Sequence, residues 1–248
     1  MNLKRLFVNA LAAIGLTAAA PAVAEPILLD ADSVGESFTI SFDGFVDGGP
    51  SIDGLGSELT LTLTGVEHGT YTFDYALTNV GAGGDHINSR VSGFAFNTDP
   101  DIDSASSTGT YGYTNTSSNY PNGIGTVDVC FQARRTGSCA GGGSGGVFEN
   151  DTGSGTLSLN FGTAPAALTL DDFFVRYQSI SGIDGVTSAS GRQTSTTSGA
   201  NTTSGGTTSG TDVPEPGMML LFALAVLGLA IGTRRRRVQP SPAGLAYA

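Results

Sequence analysis

Apolar and polar residues alternate one for one along much of this chain, and that alternation restricts the fold more than any other feature. Phe38, Ile40 and Phe42 are separated by Thr39 and Ser41. Leu59, Leu61 and Leu63 alternate with Thr60, Thr62 and Thr64, and Tyr71, Phe73, Tyr75 and Leu77 follow almost at once. Side chains of an extended strand point to opposite faces in turn, so a period of two marks a strand with one face buried. Gly65 and Gly69 punctuate the junction of the last two segments, which therefore read as a hairpin. Val91 to Phe96, then Val127, Val129 and Phe131, then Leu157, Leu159 and Phe161, and finally Leu168 to Ile180 supply further strands. No helical period is sustained outside the two ends. Strands with one apolar face must cover it, so the expected class is all-β, an antiparallel β-sandwich or jelly-roll-like domain.

Composition agrees with short strands and many turns. Glycine supplies 37 of 248 residues and tryptophan none, against a usual glycine share of about 7%. Residues 25–186 form a segment large enough for one domain with its own core. Within it, the polar stretches Asp103 to Gly125 and Gly137 to Gly155 read as surface loops. Residues 187–212 are almost wholly Ser, Thr, Gly, Ala, Asn and Gln. Such a segment has no apolar side chains to bury and is expected to be a flexible linker.

Both ends read as addresses. Lys4 and Arg5 precede an apolar run from Leu6 to Ala20, and Ala22-Val23-Ala24 follows. A charged start, a short apolar middle and a small-residue exit are the parts of a secretory signal peptide, here residues 1–24. Signal peptidase is the partner this implies, with Glu25 as the new first residue.

At the other end, Val213-Pro214-Glu215-Pro216 leads into an apolar run over 217–233, then Arg234, Arg235, Arg236 and Arg237. At ~1.5 Å per residue the run covers about 25 Å as a transmembrane helix. The arginines place its far end in the cytoplasm and the domain outside the inner membrane. Residues 238–248 form a cytoplasmic tail.

Charge excludes one class of function. All 22 acidic residues lie between Glu25 and Pro216. Of 11 basic residues, two precede that stretch and four follow it, which leaves five. So acidic a surface repels phosphate backbones, and no nucleic-acid partner is expected.

Cys130 and Cys139 are the only cysteines. Export places them in an oxidising compartment, where a disulfide persists. With eight residues between them and no histidine beside them, they lack zinc-site spacing. Asp99, Asp101 and Asp103 follow a D-x-D-x-D spacing that can offer three oxygens to calcium. The other reading of the same run is a solvated acidic turn, since glycine and glutamate are missing from the later positions of a calcium loop. Gly141 to Gly146 formally matches both G-x-G-x-x-G and G-x-S-x-G, but it does not lie between a strand and a helix as those motifs require. His68 and His86 fall in turns. No pair of carboxylates stands out as an acid–base couple, so no enzymatic activity is expected. Thr60, Thr62 and Thr64 share one strand face, which is either an ordinary solvent face or an ice-binding feature.

The C-terminal segment resembles the PEP-CTERM sorting signal through Pro214-Glu215-Pro216, the apolar span and the arginine cluster. The resemblance implies recognition by an exosortase, a membrane cysteine protease, in a Gram-negative bacterium that makes exopolysaccharide. It further implies removal of the span and delivery to the cell surface or beyond. Residues 238–248 extend further past the arginines than such tails usually do. Asn88-Ser89-Arg90-Val91-Ser92-Gly93-Phe94-Ala95-Phe96, Val129-Cys130-Phe131, Ser138-Cys139-Ala140-Gly141-Gly142-Gly143 and Phe174-Val175-Arg176-Tyr177 resemble a cysteine-pair group of PEP-CTERM passenger domains, the cistern family. The function expected from all this is structural, at the cell surface or in an exopolysaccharide matrix. The alternative is a carbohydrate-binding module, calcium-assisted or not; a hydrolase is the remaining reading.

Overall fold

A computed structural model describes residues 25–81, 87–142 and 144–199. The expected signal peptide, the C-terminal segment with its expected transmembrane run, and the residues after Arg237 all lie outside the described residues.

The strands are β1 (Ile27–Leu29), β2 (Ser37–Phe45), β3 (Ile52–Glu67), β4 (Thr70–Thr78), β5 (Asn88–Asp99), β6 (Ser104–Ser107), β7 (Tyr113–Tyr120), β8 (Gly125–Gln132), β9 (Val147–Phe148), β10 (Thr152–Asn160), β11 (Leu168–Ser181) and β12 (Ser188–Gly199). They form one sheet in the order β6-β10-β4-β3-β2-β12-β11-β5-β8-β7, with β1 added to β11 and β9 to β5. All these pairings are antiparallel. The two ends of that path are consecutive in the chain and meet, where the Thr114 hydroxyl of β7 donates to the carbonyl of Ala105 on β6 at 3.1 Å. The sheet therefore curls on itself as a barrel-like sandwich, which leaves few main-chain edges unpaired. The all-β antiparallel class read from the alternation is the class observed, both layers being parts of one sheet.

The residues that alternate as apolar in the sequence are the ones that fill the interior. Leu59, Leu61, Leu63, Phe73, Leu77, Phe94, Phe96, Phe173, Val175 and Tyr177 are fully buried. Contacts cross the interior between strands far apart in the order. The rings of Tyr75 on β4 and Phe94 on β5 lie 5.5 Å apart, and the hydroxyls of Ser57 on β3 and Tyr177 on β11 are 2.8 Å apart. An aromatic chain continues from Phe94 to Phe131 at 5.0 Å, Phe131 to Phe96 at 5.7 Å and Phe96 to Phe173 at 5.1 Å. Each such pair adds about 0.5–1.5 kcal/mol beyond simple burial.

The β3–β4 hairpin expected from the sequence turns on His68 (φ 49°) and Gly69 (φ 81°). Two positive φ values in succession match the turn type that follows the right-handed twist of paired strands.

Two expectations are corrected. The segment read as a linker, 187–212, is not one over its first half: Ser188–Gly199 is β12, inserted between β11 and β2. Its main-chain groups pair with neighbours, as in Val175↔Gly191 and Ile40↔Thr196. Its small side chains suit the space available. A Cβ on Gly191 would stand 2.5 Å from Val175 Cγ2 and 2.9 Å from Tyr177 Cε2, so a larger residue would collide with the core. The domain runs to Gly199, and the rest of the expected linker lies outside the described residues.

The stretch Asp103 to Gly125 is likewise not simply a loop. It holds β6, β7 and a 3-10 turn, Gly109–Tyr111. That turn is tied down by Tyr75, whose hydroxyl donates to the Thr108 carbonyl at 2.7 Å and accepts from the Tyr111 amide at 2.9 Å.

Candidate functional site

The most elaborate part of the surface lies outside β5, β7, β8 and β11, where the segment from Ala133 to Gly146 folds back over the sheet. Cys130 at the end of β8 and Cys139 in this segment form a disulfide with their Cα atoms 5.9 Å apart, as expected from the pair. Both are buried, in a small apolar cluster with Ala95, Tyr120 and Val127, separate from the main core. Gln132 fixes the loop inside the bridge: its amide nitrogen donates to the Ser138 carbonyl and its oxygen accepts from the Thr136 hydroxyl at 2.8 Å. The amide of Cys139 donates to the Ser118 hydroxyl of β7 at 3.1 Å.

Beyond the bridge the loop is held by two buried arginines. Arg90 of β5 donates to the carbonyls of Gly142, at 3.0 Å, and Gly145, and to Gln178 Oε1 at 3.3 Å. Arg176 of β11 donates to the carbonyls of Ala140 at 3.2 Å and Ala189 at 2.8 Å, and to the Ser188 hydroxyl at 3.0 Å. Arg90 is 2% and Arg176 8% exposed. Among the described residues neither pairs with a carboxylate; the one ion pair joins Arg192 to Asp43 at 3.7 Å. Burial pulls both guanidinium pKa values down, although the side chains remain cationic donors. Burying a cation is costly unless its donors are engaged, and here carbonyl dipoles engage them.

The glycine run that mimics catalytic motifs has this structural role instead. It connects strands, not a strand to a helix. At Gly146 φ is +95° and a Cβ would lie 2.2 Å from the Val91 carbonyl oxygen. Only a residue without a side chain lets the loop approach the sheet so closely.

On the far side of the bridged loop is an open cleft of about 330 Å³, lined by Gly112, Tyr113, Thr114, Asn115, Arg135 and Gly137. Tyr113 and Asn115 sit on β7, in register with Gln132 and Cys130 of β8. Tyr113 is 42% exposed. The Arg135 guanidinium stands over it, 5.8 Å from the ring centroid. Asn115 enters no side-chain hydrogen bond among the described residues.

The other sequence candidates are scattered. Asp99 ends β5 and precedes a cis peptide bond to Pro100, Asp101 is exposed, and Asp103 accepts from the Gly162 amide. They do not converge, and among the described residues no three His, Cys, Asp or Glu side chains form a metal-holding group. A different set of acids does gather: burial first, then Asp172, Asp128 and Asp99, raise the Asp171 pKa above the usual carboxylate value. His68 lies in the hairpin turn and His86 outside the described residues. Thr60 and Thr62 belong to a wider hydroxyl face, paired with Thr39 at 3.1 Å and Ser37 at 2.7 Å.

Arg90, Arg176 and Tyr113 did not stand out in the sequence. One signal was available: between Arg5 and Arg234 the chain has no lysine and five arginines, of which Arg90 directly precedes one apolar strand pattern and Arg176 lies inside another. A cation retained inside an apolar strand needs a reason.

Comparison with known proteins bears on the tail. Residues 212–237 match the PEP-CTERM protein-sorting motif. The chain carries a PEP-CTERM sorting signal. Pro214, Glu215, Pro216 and Arg234 to Arg237 all fall within the match. The PEP-CTERM motif implies export, membrane anchoring through the C-terminus before processing, and an exosortase as processing partner. No curated protein and no solved structure matches the chain. Among the described residues no helix is long and apolar enough to cross a membrane.

Proposed function

We propose that this chain is a non-catalytic protein of the cell surface or exopolysaccharide matrix of a Gram-negative bacterium. Signal peptidase removes residues 1–24, and an exosortase acts at the Pro214-Glu215-Pro216 end. The observation that carries the reading is a sorting motif at residues 212–237, later in the chain than an all-β domain whose interior is filled with side chains. A hydroxyl-rich outer face and a stapled loop are what a durable extracellular component needs.

The deciding experiment is the intact mass and location of the protein made in its own host. A mature chain beginning at Glu25, lacking the segment after Pro216 and recovered outside the inner membrane supports the reading. A full-length tail retained in the inner membrane would make the protein a plain anchored one and remove the matrix role.

A second reading, carbohydrate binding, is favoured by one observation: the cleft beside Tyr113 joins an exposed aromatic ring to a cation and an uncommitted amide.

A further inference from the structure

The cleft can be assigned a ligand class. We infer that Tyr113, Asn115 and Arg135 form a binding site for an acidic glycan, a polysaccharide bearing uronate carboxylates. The inference rests on the carbohydrate-binding reading and names its site and substrate.

The case begins with charge. Five arginines are the only Lys or Arg residues between Arg5 and Arg234. Arg90 and Arg176 are buried in the loop clamp. Arg192 is occupied by Asp43, the Gly49 carbonyl and the Phe45 ring. That leaves Arg134 and Arg135, both exposed and adjacent. The domain's positive surface charge is thus concentrated on one short loop, the loop closed by the disulfide. A carboxylate has this one place to be attracted on an otherwise repelling surface.

Geometry supplies the rest. The exposed Arg135 guanidinium stands over the Tyr113 ring. An exposed tyrosine offers an apolar face with a polar rim, which suits the C–H face of a sugar ring. A guanidinium beside it presents a planar fork to a carboxylate. The Asn115 amide can donate to or accept from a hydroxyl. The cleft of about 330 Å³ lies near the lower end of ligand-site sizes, roughly 300–1,000 Å³, and suits a short stretch of chain open at both ends. The bridge and the Gln132 contacts hold the loop's conformation before the ligand arrives, which lowers the entropic cost of binding.

The test is affinity electrophoresis of the exported protein through gels containing alginate, dextran or poly-L-glutamate. The expected result is retardation by alginate, little by dextran or poly-L-glutamate, and weakening as sodium chloride screens the charge. Tyr113→Ala and Arg135→Ala are expected to weaken alginate binding by about tenfold each, with unchanged melting temperatures because both side chains are exposed. Tyr113→Phe is expected to retain binding.

Wild-type protein that ignores alginate overturns the inference, and so does retardation that survives both substitutions. Equal retardation by poly-L-glutamate overturns it in favour of an acidic-peptide site. Fractionation of the host culture separates this from the broader reading: alginate retardation with no protein in the matrix supports the site while overturning the matrix location.

Discussion

Arg90 donates through Nη2 to the carbonyl oxygen of Gly142 at 3.0 Å, fastening a surface loop to the sheet with a side chain that is 2% exposed. The same guanidinium also serves Gly145 and Gln178. The clamp is therefore a forked donor spread over several acceptors, a geometry that an ammonium cannot reproduce.

Replacing Arg90 should be costly. Arg90→Met leaves two loop carbonyls short of a donor, at about 1–3 kcal/mol for each buried group unsatisfied. Urea denaturation should show a loss of roughly 2–5 kcal/mol, with Arg90→Lys recovering little. A loss below about 0.5 kcal/mol, the range of ordinary surface changes, would show that the loop docks without the clamp.

The disulfide closes a short loop, from Cys130 to Cys139. In the chain-entropy account such a loop is worth roughly 2.5–3 kcal/mol. The Cys130→Ala/Cys139→Ala variant should unfold at correspondingly lower urea, and its alginate affinity should fall because Arg135 lies within the released loop. Unaltered stability would mean that Gln132 and the arginines alone hold the segment.

The reassigned end of the domain gives a sharp length test. A chain over residues 25–187 lacks β12 and should fail to fold, because β2 and β11 lose their main-chain partners. One over 25–199 should fold cooperatively. Within β12, Gly191→Val should cost roughly 1–3 kcal/mol through overpacking against Val175 and Tyr177. Cooperative melting of the shorter chain would show that the strand is dispensable.

Asp171 gives a pH dependence. Burial, then Asp172, Asp128 and Asp99, raise its pKa in the folded protein. A carboxyl raised above its unfolded value contributes stability that is full below that unfolded value, near ~3.9, and is lost as pH rises through the folded one. At neutral pH the ionised group is therefore a liability. Asp171→Asn should raise the melting temperature by about 1–2 °C at pH 7, a small gain because the group is part-exposed and screened. The difference should vanish near pH 3. A loss of stability at pH 7 would mean that the carboxylate makes a favourable contact outweighing its repulsions.

Much of the fold was legible because its cause is local. The inward parity of Phe73, Tyr75 and Leu77, or of Phe173, Val175 and Tyr177, is written in the sequence as alternation, and burial follows it. The bridge was legible because an exported chain with two cysteines has one way to pair them. The clamp and the cleft were not legible. Arg90 acts on carbonyls 52 and 55 residues further along, and Arg135 reaches Tyr113 only through the closure of a loop.

The sequence alone therefore determined the strand class, the cysteine pair and the order of the sorting tail, since each depends on neighbours along the chain. Tertiary structure decided where the domain ends, what the two buried arginines hold and which surface gathers a ring beside a cation. Ser188–Gly199 shows why. A strand of small polar residues carries no apolar signature, and its place is set by hydrogen bonds to β2 and β11 and by the space their large side chains leave.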